Sequence, residues 1–214
     1  ALGIDGFAYD MNVACSSATF AIYNAYQAIK AGGAKRVLLI NPEMCTAHLN
    51  FRDRDSHFIF GDACIACIVE AKETVKKQDN IFEIVDVRLL TQFSNNIRNN
   101  LGFLSRCEPE AIADPHCLYA ADKLFTQKGR RVFKDVVPMV SAMISNHLSE
   151  LNIQADDLSR LWLHQANAHM NMLIAEKVVK EIMRKGNNVT ENGLRDIINA
   201  VAELHKFDPL AWCQ

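Results

Sequence analysis

Cys15 and His164 are the residues of this chain whose types and surroundings could do covalent chemistry. Cys15 stands in "DMNVACSSATFAIYNAYQAIKAGG", residues 10–33, where a short apolar run meets a helix start rich in small residues. Unpaired backbone N–H groups and the helix dipole favour an anion at such a place, which enriches the nucleophilic thiolate. His164 closes a second short apolar run, "LWL", just ahead of another helical segment. Both residues thus fall where a strand gives way to a helix, and open α/β sheets collect ligands at the carboxyl ends of their strands. Residue type alone leaves a plainer reading of each. Cysteine packs readily as a small hydrophobe, and a lone histidine serves more often as a structural hydrogen-bonding group.

The elements that must position these side chains follow from periodicity. Residues 7–13 read as a short strand and residues 17–31 as a helix, with Ala18, Ala21, Ile22, Ala25 and Ile29 at helical spacing and Gly32-Gly33 as its stop. "RVLLINPE", residues 36–43, is a continuous apolar run of the kind a doubly covered strand shows. "IFGDACIACIVEA" reads as a strand pair bent at Gly61, and the polar "KETVKKQDN" of residues 72–80 is the best internal boundary. A strand resumes at Ile81, whereas residues 91–122 show no regular element. A helix is expected over 122–151, which Gly129 and Pro138 can divide, then a strand over 161–163 and a helix over 167–184. Strands alternating with helices predict parallel βαβ crossovers.

Composition narrows the class. In 214 residues, 50% are hydrophobic and 22% charged, enough for a sizeable core. A net charge of −2 argues against nucleic acid or an anionic membrane as a partner. Seven cysteines without regular spacing read as reduced cytosolic thiols rather than a disulfide framework. The opening "ALGIDGFAYD" lacks the pattern of a signal peptide, and no apolar run is long enough to span a membrane, so a cytoplasmic protein is expected. Cys64 and Cys67 have C-x-x-C spacing but no second pair, and residues three apart on a strand face opposite sides, so no metal site is expected. Gly32-Gly33 and Gly61 form no phosphate loop or dinucleotide fingerprint, so NAD and ATP are not implied.

The words around these residues carry a family resemblance. "NVACSSATFAI" resembles the nucleophile segment of β-ketoacyl-acyl-carrier-protein synthase III, a condensing enzyme of the thiolase superfamily. "FIFGDACIACIVE" is similar to that family's Phe-Gly-Asp-Gly-Ala-Gly-Ala segment, "GRRVFKDVVP" to its Gly-x-x-Val-Phe-Lys helix, and "WLHQANAHMNMLIAEKV" carries its His-Gln-Ala-Asn motif. "NPEMCTAHLNFRDRDSHFIFGD" and "TQFSNNIRNNLGFLSR" resemble a subgroup that uses medium-chain acyl primers.

The resemblance implies a thiolase-like layered αβαβα fold of two similar halves, residues 1–75 with the nucleophile and 76–214 with the histidine, usually as a homodimer. It implies that Cys15 takes an acyl group from acyl-CoA as a thioester, and that His164 stabilises charge as malonyl carrier protein decarboxylates and condenses. No cofactor beyond these substrates is implied. Arg54 matches the family arginine near the coenzyme A adenine, and an ordinary loop charge paired with Asp53 or Asp55 is its other reading. Phe133, Gln165 and Asn167 are further expected substrate contacts. Lys128, Arg130, Arg131 and Lys134 form a basic cluster suited to acyl carrier protein, or else a solvated helix face. Phe93, Leu101, Phe103 and Leu104 could line an acyl pocket or simply cover the sheet.

The resemblance fades toward the C-terminus. Asn187 follows a glycine, as the family's third catalytic residue often does, but "GNNVTENG" does not reproduce the family motif. No glycine-rich closing segment follows, and the half-domain start that precedes the nucleophile in the family is not in the sequence. A chain with little complete condensing activity of its own is therefore expected, an impaired remnant or a thioester transferase being the alternatives to a full synthase.

Overall fold

The computed structural model describes residues 3, 5–54, 56–76, 81–98 and 124–184. They belong to two compact units, one formed by residues 1–47 and 60–91, the other by 48–59 and 92–214.

In the first unit a 3-10 turn, Ala14–Ser16, leads directly into helix α1, Ser17–Lys30. Gly32, at φ +74°, ends α1. Its N–H donates to the Ile29 carbonyl (3.0 Å) and that of Gly33 to Ala28 (2.9 Å). This paired pattern is the left-handed C-terminal cap that the Gly-Gly signal predicts. Strands β1, Arg36–Met44, and β2, Asp62–Glu70, pair antiparallel from Arg36↔Glu70 to Met44↔Asp62. Polar contacts secure both ends of this ladder. Arg36 Nη2 meets Glu70 Oε2 at 2.7 Å, while the backbone N–H and hydroxyl of Thr46 donate to Asp62 at 2.9 and 2.6 Å. These donors, the hydroxyl foremost, hold the Asp62 carboxyl below its usual range.

The β1–β2 pairing is antiparallel, and among the described residues its connection carries a 3-10 turn, Cys45–His48, and no helix-length crossover. β1 is not doubly covered. Val37 and Leu39 are half-buried, on the sheet face opposite Leu38, Ile40 and Met44, which are 36%, 53% and 66% exposed. Residues 7–13 and 81–90 make no strand ladder with the described residues. A strand exists only where a neighbour supplies the other half of its hydrogen bonds. β2 is one strand beginning just after Gly61, not a bent pair.

The second unit is organised by two helices, α2, Gly129–Glu150, and α3, Ala168–Arg184. Ile174, Ala175, Val178 and Ile182 recur at helical spacing along α3 and are at most 3% exposed. With Val137 of α2 and Val179 they form the core, against which Leu161 and Leu163 pack. Buried Ser141 and Ser145 of α2 follow Val137 at four-residue steps, and small side chains there permit close approach of the facing helix. α2 starts at Gly129 and runs through Pro138, which is exposed and does not divide it. Asn152, at φ +57°, ends α2 with the same paired bonds as Gly32, Asn152 N–H to Ser149 and Ile153 N–H to Leu148. The segment expected to lack structure contains a two-residue strand β3, Ile97–Arg98, paired with β4, Thr126–Gln127. Residues 161–163 form no ladder with the described residues, yet they keep a strand's alternation: Leu161 and Leu163 are half-buried and Trp162 is 61% exposed.

Candidate active site

Cys15 is exposed at the centre of the 3-10 turn that precedes α1. The residue before it, Ala14, has φ +48°, in the left-handed region that costs a residue with a Cβ about 1–2 kcal/mol. Three hydrogen bonds hold this conformation. The Ala14 N–H donates to Asn12 Oδ1 (2.9 Å), the Ser17 hydroxyl donates to the Ala14 carbonyl (2.7 Å), and the Val13 N–H donates to Ser17 Oγ (2.9 Å). Backbone strain held this way gathers at functional sites, where it fixes the direction of a side chain. Neither Asn12 nor Ser17 was expected to matter. The readable signal was their type, since Asn and Ser compete for local backbone groups around turns and helix starts.

Cys45, in the same unit, has a different character. Burial first, then the Glu43 carboxylate and its hydrogen bond with the thiol, push this thiol up from its ordinary range. It stays protonated at neutral pH and is a poor nucleophile. Cys64 stands opposite Pro42 and Cys67 opposite Leu39 in the β1–β2 register, so the two thiols point to opposite faces of the sheet as their spacing predicts. Among the described residues no group of three His, Cys, Asp or Glu side chains could hold a metal ion.

His164, in the second unit, is exposed and begins a tight turn into α3. Its carbonyl accepts from the Ala166 N–H (2.9 Å) and from Asn171 Nδ2 (3.0 Å). Asn167 Oδ1 accepts from the Met170 N–H (2.9 Å) and so caps α3, a role in which Asn is among the strongest residues. Gln165 is exposed. Phe133 is half-buried against the helix core, and its ring stacks on that of His169, with centroids 5.9 Å apart.

Arg54 is exposed on a loop whose turn is set by Asp53 and Ser56. Ser56, 1% exposed, donates its hydroxyl to the Asp53 carboxylate, and the Asp53 carbonyl accepts the His57 N–H. Lys128, Arg130, Arg131 and Lys134 are all exposed at the beginning of α2. The helix dipole disfavours cations at that end, by roughly 0.3–1 kcal/mol each, so helix stability does not account for them. Lys128 also anchors the turn, its N–H donating to the Asn96 carbonyl (2.7 Å). Phe93 is 85% exposed. Asn187, Leu101, Phe103 and Leu104 lie outside the described residues.

A constrained turn presents Cys15 ahead of α1 in one unit, and a capped turn presents His164 ahead of α3 in the other. Comparison with known proteins gives a family resemblance. Residues 9–89 match the family 3-Oxoacyl-[acyl-carrier-protein (ACP)] synthase III. Over 84% of its length the chain is 58% identical to the beta-ketodecanoyl-[acyl-carrier-protein] synthase of Pseudomonas aeruginosa, of which it covers 49%. It is 31% identical over 94% of its length to the beta-ketoacyl-[acyl-carrier-protein] synthase III of Brucella anthropi, covering 61% of that protein. The crystal structure of the Aquifex aeolicus 3-oxoacyl-[acyl-carrier-protein] synthase III matches 83% of this chain and 49% of that one, with TM-score 0.63 and 25% identity. The chain resembles the synthase III family and has a thiolase-like α/β fold, and it spans only part of the curated relatives it matches, 49% of the Pseudomonas aeruginosa protein and 61% of the Brucella anthropi one.

Proposed function

We propose that this chain carries the nucleophile and histidine segments of a β-ketoacyl-acyl-carrier-protein synthase that extends a medium-chain acyl-CoA in fatty acid biosynthesis. The observation that supports it best is the presentation of Cys15 on a strained, triply braced turn inside the segment that matches the synthase III family. Cys15 Sγ attacks the acyl-CoA carbonyl, a thioester forms on the enzyme, and coenzyme A leaves with the proton. Malonyl carrier protein then loses carbon dioxide, and the electron pair freed from that bond attacks the acyl carbonyl and expels the Cys15 thiolate. His164 donates a hydrogen bond to the oxygen on which charge develops. The primer class follows the name of the Pseudomonas aeruginosa relative, since a ketodecanoyl product needs a primer two carbons shorter than its own chain.

The same reading takes residues 1–75 and 76–214 as the two family halves. It places Arg54, Phe133 and Gln165 along the acyl-CoA path, with Asn167 offering its amide N–H groups while its oxygen caps α3. No bound cofactor takes part, the working form is a cytoplasmic homodimer, and Asn187 is the candidate third catalytic group. No helix among the described residues is long and apolar enough to cross a membrane.

Incubating the protein with a medium-chain acyl-CoA and malonyl carrier protein tests the activity. A 3-oxoacyl carrier protein two carbons longer, formed with one carbon dioxide per turnover, is the product that supports a full synthase over the impaired remnant that the sequence leads one to expect. Release of coenzyme A without chain extension would reduce the function to thioester transfer.

The carrier protein docks on the cations that begin α2, where the helix dipole gives no reason for them. Replacing both Arg130 and Arg131 by Ala should raise KM for malonyl carrier protein about tenfold while leaving Cys15 acylation unchanged, and the gap should narrow in high salt. Equal KM values at low salt would move the carrier site elsewhere.

A further inference from the structure

Asn171 is a polar residue in the apolar stripe of α3. It is 3% exposed and shares that stripe with Ile174, Ala175, Val178 and Ile182. Burying an amide costs free energy unless it is hydrogen-bonded, and Asn171 Nδ2 meets this demand on the carbonyl of His164, 3.0 Å away. That carbonyl is already held by the Ala166 N–H at 2.9 Å. Two donors on one oxygen fix the plane of the peptide that follows His164. Asn167, capping α3 through Met170, fixes the other end of the same turn. The exposed imidazole of His164 therefore hangs from a backbone clamped to α3.

We propose that Asn171 is a positioning residue for His164, aiming the imidazole through its backbone carbonyl without touching substrate. The inference rests on the catalytic reading of His164. Misplacing a reacting group by about an ångström can cost up to about 100-fold in rate, so the side chain that sets the angle is needed for the step His164 serves.

Asn171→Leu keeps the approximate volume and removes the donor. In the complete protein it should lower kcat for condensation by about 10- to 100-fold, with KM for malonyl carrier protein and the rate of Cys15 acylation unchanged. Asn171→Asp supplies the donor only when protonated. Its condensation rate should climb toward wild type as pH falls, a trend that wild type does not share, and this profile separates aiming from general packing. Thermal unfolding of each variant identifies any that fail to fold, and the Asp profile stands without the Leu variant. Unchanged condensation in folded Asn171→Leu would overturn the proposal. So would parallel pH profiles for Asn171→Asp and wild type. His164→Ala is measured alongside: if it condenses normally, the catalytic reading of His164 fails, whatever Asn171 does.

Discussion

Cys15→Ala should abolish covalent acylation, with thioester formation from acyl-CoA falling by about five orders of magnitude or more, the scale on which loss of a covalent nucleophile acts in acyl transfer. The structure predicts that this loss is chemical and not structural. Cys15 is exposed, and the bonds that shape its turn run among Asn12, Val13, Ala14 and Ser17, leaving the thiol out. Stability should stay within about 0.5 kcal/mol of wild type, as for most surface substitutions away from special contacts. Radiolabelled acyl transfer and urea unfolding check the two halves of this expectation. Residual labelling at the wild-type level would assign the nucleophile to another thiol. Cys45 is a poor candidate for that role, because burial and Glu43 keep it protonated.

His164→Ala should separate the two half-reactions. Thioester formation on Cys15 proceeds largely unchanged, while decarboxylative condensation falls by about 10²- to 10³-fold, the usual cost of deleting one donor aimed at a developing oxyanion. The clamp beneath His164 involves its carbonyl and survives in the variant, so α3 and its core should remain intact. Single-turnover kinetics with preformed acyl-enzyme isolates the second step. Equal losses in both steps would give His164 a role in activating the thiol instead.

How far the sequence foretold this structure depends on which contacts an element needs. Helix α1 and its Gly32 cap, and α3 with Asn167 at its start, are set by signals a few residues apart, and both agree closely with expectation. Strands depend on partners distant in sequence. The apolar run beginning at Arg36 was legible as a strand, but its antiparallel neighbour and its uncovered face were not, because composition alone does not reveal what lies on either side of a sheet. Pro138 illustrates a tertiary override: it signals a break, yet α2 continues through it with the proline ring exposed.

The site was legible in part for the same reason. Cys15 and His164 lie in motif words that can be read without a structure, whereas the devices that hold them cannot. The left-handed backbone of Ala14 has no side-chain signature, since alanine gives no hint of positive φ. Asn171 did leave a trace, a lone amide among the apolar residues of an amphipathic stripe, and such an exception implies a buried partner without naming it.

The central claim is that Cys15 carries the acyl chain between two substrates. Intact-mass spectrometry with peptide mapping tests it most directly, on protein exposed first to a medium-chain acyl-CoA and then to malonyl carrier protein. The account predicts one acyl mass added on the peptide containing Cys15 after the first substrate, and its disappearance after the second as the 3-oxoacyl carrier product forms. A folded protein that gains no acyl mass, or gains it on a peptide without Cys15, would contradict the account.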